Sequence, residues 1–499
     1  MDLSRILRTL GALLFFDAAA MGICGLLGLA WDDAGASPLL RAAAVGALCG
    51  AFLYAWGLRR RRSPLGANAE GLLLVPTALG PREATLIAAL GWLLVPMLGG
   101  LPYRMAGVVP TWTDAYFEAV SGFTTTGSSV IASVESLPAS LLLWRALTHW
   151  LGGLGIVLLV LLVLPALGIG GLALYQLEAS QVGQEKLAPR MHQTGLILWS
   201  IYALLTVSLA LLLRLGGMSW FEAITHSFAA IATGGFSTRN TSYAAFESAY
   251  LELITALFMF LASCNFGFFY WIYRGRWDLV RRSRDVAFYA LSTLISTLLV
   301  SAYLVGSGVY GSWPQALRYG VFQVVSLHST TGFASADYET WGAFPQWWML
   351  LLMLMGGCAG STAGAIKNIR ILVLVKYVVR EVRQFLFPRA VLPIRIGAEV
   401  IPEPVVQRMV AYVGVYMGFV LLGSALVTAT GVDIMSALSG AIATMGGVGP
   451  GIGLLGPMDN YGSLPEAAKW VYIVLMYLGR LEIFTLLALF SPEIWRGHP

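Results

Sequence analysis

Apolar runs of about 20 residues, the length at which a helix crosses a bilayer, recur near 8–30, 38–58, 83–103, 140–164, 192–214, 250–273, 285–306, 346–380, 405–429 and 466–490. Four further apolar segments, 112–124, 219–232, 313–329 and 433–446, are too short to span, and each runs into a glycine-punctuated stretch. The pattern predicts ten membrane helices and four re-entrant half-helices.

The four stretches are Thr124-Thr125-Thr126-Gly127, Thr233-Gly234-Gly235-Phe236, Ser329-Thr330-Thr331-Gly332-Phe333 and Gly447-Val448-Gly449-Pro450. Their reference glycines stand at 127, 235, 332 and 449, so successive ones are 108, 97 and 117 residues apart. This is a fourfold repeat within one chain. Irregular backbone is tolerated at membrane depth only where it is buried in protein or lines a watery cavity. Four such loops can surround one axis, and rings of backbone carbonyls replace the hydration shell of a cation.

Capping chemistry sets the register. Thr111, Ser219 and Asp433 each lie 16 residues before their reference glycine, and each has a side-chain oxygen able to accept an orphan N–H. Ser219 with Glu222 reads as a capping box. Gly446 competes as the fourth reference glycine, but only Gly449 aligns the caps. In the third repeat Ser312 lies 20 residues before Gly332, which predicts a half-helix longer by about one turn.

Composition changes the picture only by exclusion. The chain is 58% hydrophobic and 11% charged, against about 25% charged residues in soluble domains. The four cysteines (Cys24, Cys49, Cys264, Cys358) lie in apolar stretches without paired or metal-like spacing, and the five histidines are scattered. His226 and His328 are expected to hydrogen-bond locally, and Gly152, Gly153 and Gly155 to be packing contacts. Asp17 interrupts the first apolar run and no cleavage site follows, so a retained first helix is expected rather than a signal peptide.

Basic residues give orientation. With a cytoplasmic N-terminus, 23 of the 31 Lys and Arg fall at cytoplasmic loops or helix ends, including Arg59 to Arg62, the Arg274–Arg284 run, and Arg380, Arg383, Arg389 and Arg395. Seven fall outside, and Arg480 lies within the last span. The positive-inside rule supports this topology. It places the glycine loops on the outer side, with four half-helix C-termini directed at a cation. The net charge of +5 then belongs to cytoplasmic segments facing anionic lipid or a partner, and calls for no nucleic acid.

Two features suggest a barrier. The span after the third loop carries Met355-Gly356-Gly357-Cys358-Ala359-Gly360-Ser361-Thr362-Ala363-Gly364-Ala365-Ile366-Lys367 in a run too long for one crossing. Each glycine weakens a helix by up to about 1 kcal/mol, so a break is expected there, on the inner side of the glycine loops where a gate would stand. Arg480, read as lying mid-way along the last helix, is a charge at costly depth. It would act as a barrier to a cation or as a tether for the loop. Glu482 lies on a different helical face and is not its partner.

The stretches Ser121–Gly127, Ala232–Thr238, Gly356–Gly364, Val448–Gly451 and Gly479–Glu482 together resemble TrkH-type subunits of the Trk/Ktr/HKT potassium transporters, and the resemblance runs from about the first helix to the last. It implies an all-α polytopic membrane protein. Four pseudo-repeats of helix, re-entrant half-helix, filter strand and helix would surround one pore, preceded by two extra helices. The corresponding divisions are 1–82, 83–191, 192–284, 285–404 and 405–499. The resemblance further implies potassium uptake, a homodimer with one pore per subunit, a peripheral cytoplasmic nucleotide-binding (TrkA-like) regulatory subunit, and a bacterial inner membrane.

Carried over by position, Thr125, Thr126 and Gly127; Thr233, Gly234 and Gly235; Thr330, Thr331 and Gly332; and Gly447, Val448 and Gly449 would line a K+ filter. The metal is then K+ held by filter carbonyls, as transported ion, with no covalently bound cofactor. The gate would comprise Gly356, Gly357, Gly360, Ser361, Thr362, Gly364 and Lys367, with Arg480 beside it. Met445-Gly446-Gly447 departs from the family pattern, which has Asn there. A channel-like subunit is favoured over a K+ symporter coupled to Na+ or H+, because mid-span acids amount to little beyond Asp17, Glu252 and Glu482. A membrane enzyme would need clustered acids, His or a nucleophile at the interface, and the scattered histidines argue against one.

Overall fold

The computed structural model describes residues 2–59, 81–162, 191–397 and 399–490. Arg60 to Arg62 of the basic run and the end of the 140–164 span lie outside them. Two long helices, Leu3–Ala30 and Ala36–Arg59, form an antiparallel hairpin. Gly11 and Gly50 face each other across it, each close to the other's carbonyl, so the two backbones approach as small residues allow.

Four units follow, each a long helix, a short helix, an irregular loop and a second long helix. The first contains Pro81–Gly99, Trp112–Phe123 and Ala139–Leu162; the second Met191–Leu215, Trp220–Ile231 and Ala249–Ala262 with Phe266–Tyr273. The third contains Arg284–Gly306, Trp313–His328 and Ala343–Leu354 with Asn368–Leu386; the fourth Glu403–Thr428, Ile434–Gly446 and Glu466–Arg480 with Ile483–Leu489. One hydrophobic core runs through all four units, including the fully buried rings of Phe117, Tyr243, Phe322 and Tyr472. A two-stranded antiparallel ribbon, Arg395–Ile396 with Glu399–Val400, precedes the last unit.

Three of the ten expected spans are interrupted. The 250–273 run bends by 94° between its two helices, where Asn265 caps the second by accepting from Gly267 N at 2.7 Å. The 346–380 run breaks at Met355–Lys367, as its glycine content predicts. The 466–490 run ends its first helix at Arg480, and Glu482 takes a left-handed φ of 61°. Arg480 is therefore a helix-terminal residue and not mid-helix. Six described helices are long and apolar enough to cross a membrane singly, seven with the bent pair.

All three capping readings hold. Thr111 accepts from Asp114 N, Asp433 from Ser436 N, and Ser219 with Glu222 completes the capping box. Ser312 precedes the third short helix but makes no side-chain capping bond. That helix has 16 residues against 12 in the first two, the extra turn read from the spacing.

Candidate functional site: a four-walled ring and the loop beneath it

All four short helices end in the same way. Thr125, Thr233, Thr330 and Gly447 take positive φ of 54°, 54°, 61° and 67°. The next residue in each loop then donates its N–H to the carbonyl five positions back: Thr126 to Ser121 at 2.9 Å, Gly234 to Ala229 at 2.8 Å, Thr331 to Ser326 at 2.8 Å, and Val448 to Ala443 at 2.9 Å. This is the bond that closes a Schellman terminus. A second positive φ follows at Gly127 (84°), Gly235 (79°), Gly332 (81°) and Gly449 (102°). The structure thus brings together all twelve expected filter residues in one repeated conformation, and Gly449, not Gly446, occupies the fourth equivalent position.

The loops close on one another. A Cβ at Gly127 would overlap the Gly234 carbonyl, one at Gly235 the Thr331 carbonyl, and one at Gly332 the Val448 carbonyl. One at Gly449 would lie 2.9 Å from the Thr126 carbonyl, returning to the first loop. Each reference glycine therefore abuts the middle residue of the next loop, in cyclic order. The four glycines share one cavity of about 110 Å³, with Arg145, Asn240, Asp459 and Tyr461 among its walls. Of the twelve carbonyls in these segments, only that of Gly449 accepts a hydrogen bond among the described residues, from Ser128 Oγ at 3.1 Å and Tyr461 Oη at 2.7 Å.

Side chains behind the ring fix its walls. Thr124 and Thr126 hydroxyls meet at 2.8 Å, and Ser329 and Thr331 hydroxyls at 2.7 Å. The second wall has Gly234 in the middle position because the His149 ring fills the space a Cβ would need. That ring stacks on Phe236 at 4.0 Å, and the Arg145 guanidinium lies 3.6 Å from the centre of the same Phe236 ring. Arg145 also donates to Glu118 at 2.6 Å and to the Ser237 carbonyl at 3.1 Å, while Glu118 accepts from Val130 N at 2.9 Å. One buried ion pair thereby ties the first and second loops.

In the sequence Arg145 stands only as one of the outer cations; the seventh residue of Ala139–Leu162 and 27 after Glu118, it carries no recognisable local signal. Replacing Arg145 by Met leaves Glu118 buried without its cation, which costs about 3–5 kcal/mol. Thermal unfolding in detergent should show a large loss for Arg145→Met and partial recovery in the Glu118→Gln/Arg145→Met double variant.

The Gly356–Lys367 segment lies against the ring's opposite side. Gly364 N donates to Thr330 Oγ1 at 2.7 Å, and Gly364 has no room for a Cβ against the Gly446 carbonyl. Gly356 N donates to Ile366 O at 2.9 Å, and Asn368 donates to the Gly357 carbonyl through N at 3.2 Å and to the Gly356 carbonyl through Nδ2 at 2.6 Å, so both ends of the loop are clasped. Thr362 Oγ1 reaches Ile231 O at 3.1 Å, at the C-terminus of the second short helix. Ser361 Oγ donates to Cys358 O at 2.6 Å, and Lys367 Nζ donates to Ala363 O. The break in the neighbouring unit supports the loop: Cys358 N donates to Ser263 O at 2.8 Å, and Phe266 N to Gly360 O at 3.2 Å. The 250–273 run reads as one span in the sequence, and Asn265 within it is the residue that could have signalled the break.

Arg480 joins these parts. Its Nη1 donates to Thr362 O at 3.1 Å and its Nη2 to Gly152 O at 3.0 Å. Gly152 packs against the Phe123 carbonyl and Gly153 against Ala232, which places the helix behind the first two loops as expected of packing glycines. Glu482 pairs with Arg370 at 2.9 Å rather than with Arg480, and Glu252 with Arg318 at 2.7 Å. His226 bonds locally to Glu222 O at 2.8 Å, whereas His328 reaches across to Thr293 Oγ1 at 2.9 Å on another helix. No group of three metal-ligating side chains occurs among the described residues.

The family model for TrkH, described as a cation transport protein, matches residues 75–496. The chain belongs to the TrkH family. The Trk system potassium uptake protein TrkH of Halomonas elongata is 38% identical over 99% of this chain and 100% of its own length. The protein of the same name from Escherichia coli K12 is 36% identical, again over 99% and 100%. The crystal structure of the potassium transporter TrkH from Vibrio parahaemolyticus superposes with a TM-score of 0.87 at 33% identity, covering 99% of this chain and 100% of that one. The ring of four loops and the loop beneath it are thus features of a TrkH-family polytopic helical membrane protein.

Proposed function

We propose that this TrkH-family protein takes up potassium through a channel-like pore, with Thr125–Gly127, Thr233–Gly235, Thr330–Gly332 and Gly447–Gly449 as its filter. One observation carries the reading: a closed ring of four loops whose backbone carbonyls, apart from that of Gly449, accept no hydrogen bond among the described residues. Buried carbonyls are otherwise nearly always paired. A dehydrated cation supplies what they lack, and four helix C-termini behind them favour positive charge. Potassium is named because the relatives from Halomonas elongata and Escherichia coli are potassium uptake proteins.

The Gly356–Lys367 loop is the gate in this account, with Arg480 as its tether. Glu252 and Glu482 are engaged by arginines, which leaves few acids for a second coupling-ion site and favours the channel-like reading over symport. The four units correspond to 83–191, 192–284, 285–404 and 405–499, preceded by 1–82. The N-terminus faces the cytoplasm of a bacterium, and the subunit works as a homodimer under a cytoplasmic nucleotide-binding regulator. Purified protein in liposomes should pass Rb+ down a K+ gradient in the absence of any Na+ or H+ gradient. Flux that requires one of those gradients would instead establish symport.

A further inference from the structure

The helix that leaves the Gly-rich loop, Asn368–Leu386, carries an apolar stripe and a basic stripe on neighbouring faces. Val375, Val379, Val382 and Leu386 form an apolar stripe that is between 46% and 63% exposed. Lys376, Arg380 and Arg383 stand beside it. At a rise of about 1.5 Å per residue, Lys376 lies roughly 12 Å and Arg383 roughly 22 Å along the helix from Asn368. The chain then turns back, and Leu392 to Arg395 wall off a cavity of about 480 Å³ against this helix.

The cavity is amphiphilic. Val375, Val379 and Leu392 give it apolar walls, and Lys376, Arg383 and Arg395 reach it as cations. Nearby acids do not neutralise these three: Glu403 and Glu381 both pair with Arg380, at 2.6 and 3.2 Å. Lys376, Arg383 and Arg395 make no side-chain hydrogen bond or ion pair among the described residues. Three cations left without acids beside apolar walls call for an anion attached to hydrocarbon. A free phosphate would satisfy the charges and leave Val375, Val379 and Leu392 wet.

We propose that this cavity seats the headgroup and glycerol region of an anionic phospholipid, with its phosphate held by Lys376, Arg383 and Arg395 and its acyl chains along the valine stripe. Each basic side chain near an anionic lipid surface strengthens binding about fivefold, so removing all three should weaken retention roughly 100-fold.

The test is native mass spectrometry of the purified full chain with phosphatidylglycerol or phosphatidylcholine as probe. Wild type should retain phosphatidylglycerol in preference to phosphatidylcholine, and the Lys376→Gln/Arg383→Gln/Arg395→Gln variant should lose that preference while eluting as wild type on size exclusion. Millimolar inorganic phosphate should not displace the lipid. Undiminished retention by the triple variant overturns the proposal. So does displacement by phosphate, which would make this a soluble-anion site, or a change in oligomeric state with lipid retention intact, which would make the face an interface between copies. Should the triple variant misfold, wild type decides: retention must fall as salt rises, and retention indifferent to salt overturns the assignment.

Discussion

Alanine or aspartate at Gly332 is expected to abolish selective Rb+ uptake while leaving an inserted protein. Two penalties act at once. The residue holds φ at 81°, a conformation that costs a side-chain-bearing residue about 1–3 kcal/mol. The larger effect is steric, because the new Cβ would occupy the position of the Val448 carbonyl in the next loop. Relief requires that carbonyl to move, and the ring has no slack: Val448 N is already bonded to Ala443 O at 2.9 Å. Gly107→Ala is the control, since Gly107 has φ of 70° with nothing within 4 Å of an added Cβ. It should carry the strain alone and transport normally. Equal loss in both variants would mean that strain, not ring closure, is what matters.

Arg480→Ala should raise Rb+ flux. The guanidinium binds the Thr362 carbonyl in the loop and the Gly152 carbonyl behind the first two walls, and hydrogen bonds to a charged group are worth about 1.5–3 kcal/mol each. Loss of about 3 kcal/mol from the closed arrangement corresponds to roughly 100-fold in its ratio to an open one. Any repulsion between the arginine and a permeating cation adds in the same direction. Lysine keeps the charge but cannot span two carbonyls with a planar fork, so flux at matched protein density should rank Ala above Lys above wild type. A folded Ala variant with reduced flux would reassign Arg480 to holding the helix end in place.

The ring was legible in the sequence because it is built from backbone. Positive φ demands glycine or a short polar residue at fixed offsets from a capped start, so the spacing from Thr111, Ser219 and Asp433 was enough to choose Gly449 over Gly446. The Gly-rich break was legible for the same reason. Contacts that depend on which helices become neighbours were not. Arg145 and Glu118 meet across 27 residues, and His328 finds Thr293 on another helix, without local spacing to announce either. The end of the helix at Arg480 was missed because Leu481, Ile483 and Phe484 continue the apolar run, and the left-handed turn at Glu482 leaves no glycine behind.

The four loops should hold a dehydrated cation on a shared axis. Anomalous diffraction from crystals of this protein grown in Rb+ tests it directly. Rb+ density should be enclosed by the Thr125–Gly127, Thr233–Gly235, Thr330–Gly332 and Gly447–Gly449 carbonyls and be lost on exchange of Rb+ for Na+. Ordered loops with no such density, or Rb+ bound only elsewhere in the molecule, would contradict it.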